Sequence, residues 1–329
     1  MNKDIVMVVD GISPRTKEIS RNYITEDAEI IFADGEKAVI DKYIADAKIL
    51  ITSTKGVPGD MLAKATKCIY IQKYGAGVNN IAIADASKRN IPVGNVPGVN
   101  SRSVAEHALT LMLAVYKQIV RGHNALVNDG KWLKTVLRDD NYELSGKTVG
   151  LIGLGNIGKN LRQLLTGFGC RVVYYDAFRL KAEDEKALNV EYKELDDVLR
   201  TADIVSLHCP LTDETRHLIN AERIEMMKPT AVLLNCARGG IVDEAALFDA
   251  LSSGKLLGTG IDTYEKEPAG KDHPFCRLTN VVLSPHNGGG TVEAVDAVVK
   301  NAADNINAML KSGTIIHKNH LVNLSEIKL

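Results

Sequence analysis

The sequence predicts an α/β protein made of two open parallel-sheet domains with a cleft between them. Short β-type runs alternate with helix-type runs through the first hundred residues, and a second alternating series starts near Lys147. A long helical stretch after residue 290 then returns the chain to the first domain. That return makes the first domain discontinuous, 1–100 together with 291–329, around an inserted domain at 101–290.

In the first series the strands are expected at Ile5–Val8, Ile30–Phe32, Ile49–Thr52, Ile69–Gln72 and Ile91–Val93. Each is a short apolar, β-branched run of the kind buried on both faces of a parallel sheet. The segment NVPGVN at Asn95–Asn100 stops any regular element, because it sets Pro97 beside Gly98. A helix should follow, capped by Ser101 or Ser103 with Glu106 three residues beyond Ser103. Its apolar positions, among them Leu109, Leu111, Met112, Leu113 and Val115, imply cover on several sides, by its own domain or by a second subunit. In the second series the strands are expected at Thr148–Ile152, Arg171–Tyr175, Ile204–Leu207, Ala231–Asn235, Leu257–Ile261 and Val281–Ser284, with a final helix to about Leu310.

The bulk composition narrows the function. The 329 residues suffice for two cores. Lys plus Arg number 40 against 41 Asp plus Glu, a formal charge of -1, which argues against a nucleic-acid binder. The opening MNKDIVMVVD has a short apolar run flanked by acids; it reads as a first strand and not as a signal peptide or membrane anchor. Five cysteines, at 68, 170, 209, 236 and 276, form no close metal-ligand pair, so no metal site is expected. They read as reduced thiols in a cytoplasmic protein.

The segment TVGLIGLGNIG at Thr148–Gly158 places Gly153-x-Gly155-x-x-Gly158 between a strand and a helix. Gly153 allows the tight turn, Gly155 lets backbone approach a pyrophosphate, and Gly158 lets helix and strand pack closely. The phosphates would rest on the N–H groups of Asn156, Ile157 and their neighbours. A glycine fingerprint by itself also fits a plain structural turn or another nucleoside ligand. Here the next strand ends at Asp176, eighteen residues after Gly158, close to the spacing of a carboxylate that binds ribose hydroxyls. Such a carboxylate repels a 2′-phosphate, so NAD is expected over NADP. Arg179 stands near enough to weaken that preference; it reads as a solvated residue or a stacking partner for adenine.

Three later strands end in polar segments: His208-Cys209-Pro210, Asn235 to Gly240, and Ser284 to Gly289. In a doubly wound sheet they share one edge with the glycine turn. A 2-keto acid needs a bidentate cation for its carboxylate and a proton donor for its carbonyl. Arg238 and His286 fit those roles, and Glu267 could hold the other ring nitrogen of His286. The plainer readings are a structural salt bridge for Arg238, a satisfied loop histidine for His286 and a turn acid for Glu267. His208 is a second candidate acid but is ranked as a wall of the cofactor site.

With those residues in view, the sequence resembles the D-isomer-specific 2-hydroxyacid dehydrogenases over nearly its whole length. GLIGLGNIG from Gly150, CPLTDETRHLIN from Cys209, NCARGGIVDEAAL from Asn235, and GIDTYEKEP leading to SPHNGG carry the resemblance. It implies a flavodoxin-like substrate/catalytic domain and a Rossmann NAD-binding domain. It implies that Arg238 clamps the substrate, that His286 is the acid–base group and that Glu267 is its partner. It also implies that Asp176 binds ribose, that Asp262 contacts the nicotinamide amide, and that backbone around Cys209 and Cys236 lines the cofactor site. The Lys73-Tyr74-Gly75-Ala76-Gly77-Val78 segment resembles the family's substrate loop, whose N–H groups share the carboxylate with Arg238. A D product and a homodimer built largely on the cofactor domains are implied as well.

Two departures stand out. Asn79-Asn80-Ile81-Ala82 replaces a commonly acidic segment, with Asn79 still able to cap, and Asn287 replaces a commonly apolar residue after the histidine. The substrate expected is a small 2-keto acid, with hydroxypyruvate or glyoxylate favoured. A short-form D-3-phosphoglycerate dehydrogenase is the alternative, because Lys73 aligns with a phosphate-binding position and no regulatory domain is expected after residue 329; Arg102 is a weaker phosphate candidate. An NAD-sensing interaction module with weak turnover is the remaining reading.

Overall fold

A computed structural model describes residues 3–328. The chain divides into two compact units, the stretch up to Asn100 with that from Thr291 onward, and Ser101–Gly290.

The first unit runs β1 (Asp4–Val8), α1 (Pro14–Tyr23), β2 (Ala28–Phe32), α2 (Lys37–Tyr43), β3 (Ala47–Thr52), α3 (Gly59–Lys64), β4 (Tyr70–Lys73), α4 (Ile83–Lys88) and β5 (Val93–Gly94). The second runs α5 (Ser101–Tyr116), α6 (Ile119–Asp129), α7 (Lys134–Asp140), β6 (Thr148–Ile152), α8 (Asn156–Leu165), β7 (Arg171–Tyr175), α9 (Ala182–Leu188), β8 (Glu191–Tyr192), α10 (Leu195–Thr201), β9 (Ile204–Leu207), α11 (Ala221–Met226), β10 (Val232–Asn235), α12 (Glu244–Ser252), β11 (Gly258–Ile261) and β12 (Val281–Leu283). The chain then re-enters the first unit as α13 (Val292–Ser312).

Both sheets are parallel throughout. The first has the order β2-β1-β3-β4-β5 and the second β12-β11-β10-β9-β6-β7-β8. These are the flavodoxin-like and Rossmann windings, in which strand order reverses at β1/β3 and at β6/β9. Strands such as Ala47–Thr52 and Ile204–Leu207 are buried because helices cover both faces. In the first unit α1 and α13 contribute Ile19, Val299 and Ile306 to one face, while α2, α3 and α4 contribute Ile40, Leu62 and Ala86 to the other.

In the second unit α5 and α8 bring Leu111, Met112, Leu161 and Leu165 to one face, and α10–α12 bring Val198, Leu199, Ile224 and Leu247 to the other. The apolar character of α5 is thereby accounted for within its own unit. Its backbone comes so near β11 that a Cβ on Gly260 would lie 2.9 Å from Leu111 Cβ.

Local chemistry sets several boundaries. Ser13 caps α1 by accepting from Thr16 N–H at 3.1 Å, with Pro14 at the first helical position. Thr291 caps α13, and Gly313 closes it at φ +66°. The expected caps shift at two helices. α5 starts at Ser101, so Ser103 lies inside its first turn, and Glu106 is taken by Arg102 at 2.6 Å. α4 starts only at Ile83, beyond the reach of Asn79 as its N-cap.

Candidate active site

The site of the second unit is assembled at the carboxyl ends of its strands. At the end of β6, Gly153 adopts φ +95°, and a Cβ there would stand 2.8 Å from the Cys209 nitrogen and the His208 carbonyl carbon. The N–H of Gly153 donates to Tyr175 O at 2.8 Å, and that of His208 to Ile152 O at 2.7 Å. Gly158 is equally constrained, since a Cβ would meet Gly153 O at 2.5 Å. Gly155 is different: a Cβ there would meet no protein atom within 4 Å. The glycine is therefore unnecessary for packing and leaves room beside the start of α8. Among the described residues no side chain caps that helix, and the N–H groups of Asn156, Ile157 and Gly158 lack intrahelical acceptors. This is a cradle for a phosphate pair.

Asp176 stands just past β7. Its carboxylate accepts Leu154 N–H at 2.7 Å and Phe178 N–H at 2.9 Å, so it is fixed between the glycine turn and the next loop. Arg179 pairs with Glu185 at 2.9 Å and lies over the Tyr192 ring, 4.6 Å from its centroid. Past β9, His208 Nε2 lies 2.9 Å from Ser206 Oγ, and its Nδ1 is buried without a hydrogen-bond partner. Burial lowers the His208 pKa to about 4 and raises the Cys209 thiol to about 11. His208 is thus a neutral ring at neutral pH, suited to a wall and ill suited to donating a proton from an imidazolium. Burial also raises the Cys236 thiol, and Pro210 is exposed.

The reactive candidates follow β10, β11 and β12. Asn235 ends β10 and shapes the turn after it: its Nδ2 donates to Arg238 O at 2.9 Å and its Oδ1 accepts Ala237 N–H at 3.1 Å. Gly239 lets this turn lie on the backbone past β11, because a Cβ would fall 1.9 Å from the Tyr264 carbonyl carbon. Arg238 is half-buried, and desolvation lowers its pKa against the opposing charge of Glu267.

Glu267 Oε2 lies 2.7 Å from His286 Nδ1, and Glu267 Oε1 accepts Tyr264 N–H at 3.0 Å. Burial pushes the Glu267 carboxyl up, but the His286 contact, the Tyr264 N–H and the charge of Arg238 outweigh it and hold the group below its ordinary value. His286 has φ +51°, a left-handed geometry that turns the chain sharply at the ring.

Asp262 underlies this corner. Its Oδ1 accepts from Ser284 Oγ at 2.6 Å and Asn287 N–H at 2.9 Å, and its Oδ2 accepts Gly288 N–H at 2.9 Å. His107 Nε2 lies 2.8 Å from Ser284 Oγ and 3.3 Å from Asp262 Oδ1. Asp262 thus braces both sides of His286. The sequence marks Asn235, Gly239 and Ser284 only as members of polar segments at strand ends, without these roles, and gives no sign of His107.

In the first unit, Tyr74 is buried with its hydroxyl 3.1 Å from Ser20 Oγ, and Gly75 opens the loop to Val78 at φ +138°. Gln72 Nε2 donates to Lys73 O at 2.8 Å. The Lys73 ammonium is buried and donates to Ser53 O and, at 3.1 Å, to Asn80 Oδ1. Arg102 is bound to Glu106.

A Rossmann-wound sheet, an uncapped helix start beside an open glycine and a fixed carboxylate past the second strand define a dinucleotide-dependent oxidoreductase. Residues 109–288 match the family described as D-isomer specific 2-hydroxyacid dehydrogenase, NAD binding domain, and the chain belongs to that family. It is an NAD-dependent D-2-hydroxyacid dehydrogenase. The chain is 36% identical to a glyoxylate reductase of Korarchaeum cryptofilum over 90% of its own length and 89% of that protein. It is 36% identical to a D-3-phosphoglycerate dehydrogenase of Methanocaldococcus jannaschii over 93% of its length, but only 58% of that protein. The solved D-lactate dehydrogenase of Aquifex aeolicus, complexed with NAD and lactic acid, superposes with TM-score 0.85 at 26% identity, over 97% of this chain and 99% of the other.

Proposed function

We propose that this enzyme reduces a small 2-keto acid of the hydroxypyruvate or glyoxylate kind, with Arg238, Glu267 and His286 as its working side chains. The observation that carries the reading is the 2.7 Å Glu267–His286 pair on a corner that also holds the half-buried Arg238. Bound NADH supplies the hydride. The Arg238 guanidinium binds the substrate carboxylate in a two-pronged contact and orients the keto carbon. His286 Nε2 gives a proton to the keto oxygen in reduction and takes it back in oxidation. Glu267 holds Nδ1, fixing the ring and balancing its positive charge.

The cofactor is proposed to lie along Gly153, Gly155, Asn156, Ile157 and Gly158, with Asp176 at a ribose and the backbone of His208–Pro210 and Cys236 as walls. Asp262 is proposed to reach the nicotinamide end chiefly by shaping the loop at Ser284–Gly288, since both its oxygens already accept hydrogen bonds. The loop Gly75–Val78 is proposed to serve the substrate through backbone N–H groups.

The engagement of Lys73 by Ser53 and Asn80 supports a substrate without a phosphate. The enzyme is proposed to be cytoplasmic and homodimeric, the dimer resting on an apolar surface of α6 and α7.

Oxidation of NADH, followed by its absorbance with hydroxypyruvate, glyoxylate, pyruvate, 2-ketoisocaproate and phosphohydroxypyruvate in turn, tests the proposal. Hydroxypyruvate or glyoxylate should give the highest kcat/KM. His286→Ala should lower kcat by roughly 100-fold or more, the usual scale of general acid catalysis, while NADH binding persists. Turnover confined to phosphohydroxypyruvate would overturn the substrate assignment, and near-normal turnover of His286→Ala would overturn the mechanism.

A further inference from the structure

Glu185 is not a residue that the dehydrogenase chemistry requires, yet it sits at the centre of a small network beside the ribose-end carboxylate. Its Oε1 accepts from the Tyr174 hydroxyl at 2.7 Å and from Arg179 Nε at 2.9 Å, and its Oε2 accepts from Arg179 Nη2 at 3.3 Å. Tyr174 belongs to β7, the strand that leads to Asp176, and its hydroxyl also accepts Leu180 N–H at 3.0 Å. The Tyr192 ring of β8 supports the other side of the guanidinium, at 4.6 Å. The loop between Asp176 and α9 is therefore tied at both ends, and its arginine has both a matched charge and a supporting ring.

We propose that Glu185 is a cofactor-specificity residue, holding Arg179 paired so that this guanidinium is withheld from a 2′-phosphate on the adenosine ribose. This role of Glu185 rests on the reading that Asp176 receives that ribose. An arginine three residues beyond the carboxylate is the type of group that accommodates a 2′-phosphate in NADP-binding relatives of this winding. A guanidinium free to move supplies paired charge-assisted donors to phosphate. One already forked onto Glu185 and stacked on Tyr192 must give up both contacts first. Discrimination against NADP then has two parts, repulsion by Asp176 and sequestration of Arg179 by Glu185. The side chain of Glu185 is 13% exposed against 59% for Arg179, so the acid is the fixed member of the pair and the arginine the movable one.

Calorimetric titration with ADP-ribose and with its 2′-phosphorylated form tests the proposal without turnover. Glu185→Gln keeps the side-chain shape and an acceptor for Tyr174 while removing the charge. It should tighten the phosphorylated ligand relative to ADP-ribose by roughly 3- to 10-fold, the scale of one released exposed ion pair and one new phosphate contact. Arg179→Ala added to Glu185→Gln should abolish that gain, while Arg179→Ala alone should change the ratio by less than about twofold. An unchanged ratio in Glu185→Gln, or a gain that survives loss of Arg179, would overturn the role of Glu185. Failure of ADP-ribose to bind the unaltered protein would instead overturn the ribose assignment of Asp176, and this proposal with it.

Discussion

Asp262 is 2% exposed, and its carboxylate takes the Ser284 hydroxyl and two backbone N–H groups from the loop that carries His286. Because the Ser284 hydroxyl donates to Asp262, its oxygen is left to accept from His107 Nε2. Burial raises the Asp262 pKa, but His107, Ser284 and the Asn287 and Gly288 N–H groups together hold it well below the usual carboxylate range. A depressed folded-state value means that the ionised group stabilises the fold fully above its unfolded pKa, and that this stabilisation fades as pH falls through the folded value. Asp262→Asn turns an amide NH₂ toward backbone donors and should cost about 2 kcal/mol or more at neutral pH. Urea unfolding of both proteins across pH should show a constant gap down to about pH 4 and a shrinking gap below it. A gap independent of pH down to pH 2 would mean that the charge of Asp262 is not what holds the loop. Arg238 and His286 stand out in the sequence as candidates by residue type, and Glu267 through the family resemblance; the expected contact of Glu267 with a ring nitrogen of His286 is present at 2.7 Å. The meeting of Ser284 and His107 was not legible, since it depends on α5 packing over β11 and β12 across 177 residues of chain.

At the scale of elements, the three glycines of the β6–α8 turn separate packing from binding. Gly153 and Gly158 are demanded by neighbouring backbone, whereas Gly155 faces open space. Gly153→Ala should therefore destabilise the unit by roughly 2 kcal/mol or more, through positive φ and the close carbonyl of His208. Gly155→Ala should leave stability within about 1 kcal/mol, the small cost of losing a permissive N-cap. Yet it should weaken NADH binding by about tenfold or more, since it puts a methyl group where backbone must approach the pyrophosphate. Thermal unfolding and quenching of NADH fluorescence in the two variants would show the split. Equal loss of stability in both would argue that Gly155 is a structural glycine. The alternation of strands and helices was readable because parallel strands buried on both faces are nearly unbroken apolar runs, as in AKILIT and IVSL. The two-residue strand β8 was not readable, since Glu191–Tyr192 carries no apolar run and forms only through pairing with β7.

For the whole molecule, the sequence pattern predicts a helix after residue 100 covered either by its own domain or by a second subunit, and the structure covers it within its own unit. α5 is buried within its unit, while the segment after it is apolar and exposed. Ile119, Leu126, Val127, Trp132 and Val136 are each about half exposed or more, with Trp132 at 77%. Scattered apolar residues are ordinary on a surface, but five within eighteen residues, centred on the chain's one tryptophan, form a patch of the kind that protein interfaces cover. The family resemblance names a second copy of the chain as the cover. Such a patch has no role in either unit's core, so the double substitution Val127→Asp and Trp132→Asp should leave each unit folded. It should shift sedimentation from dimer to monomer at micromolar concentration, because two charges placed at the centre of a dry interface cost several kcal/mol on each side. Far-UV circular dichroism should remain that of the unaltered protein, and calorimetry should detect bound NADH. A variant that still sediments as a dimer would place the interface elsewhere, and an unaltered protein that sediments as a monomer would leave α6 and α7 without the proposed partner.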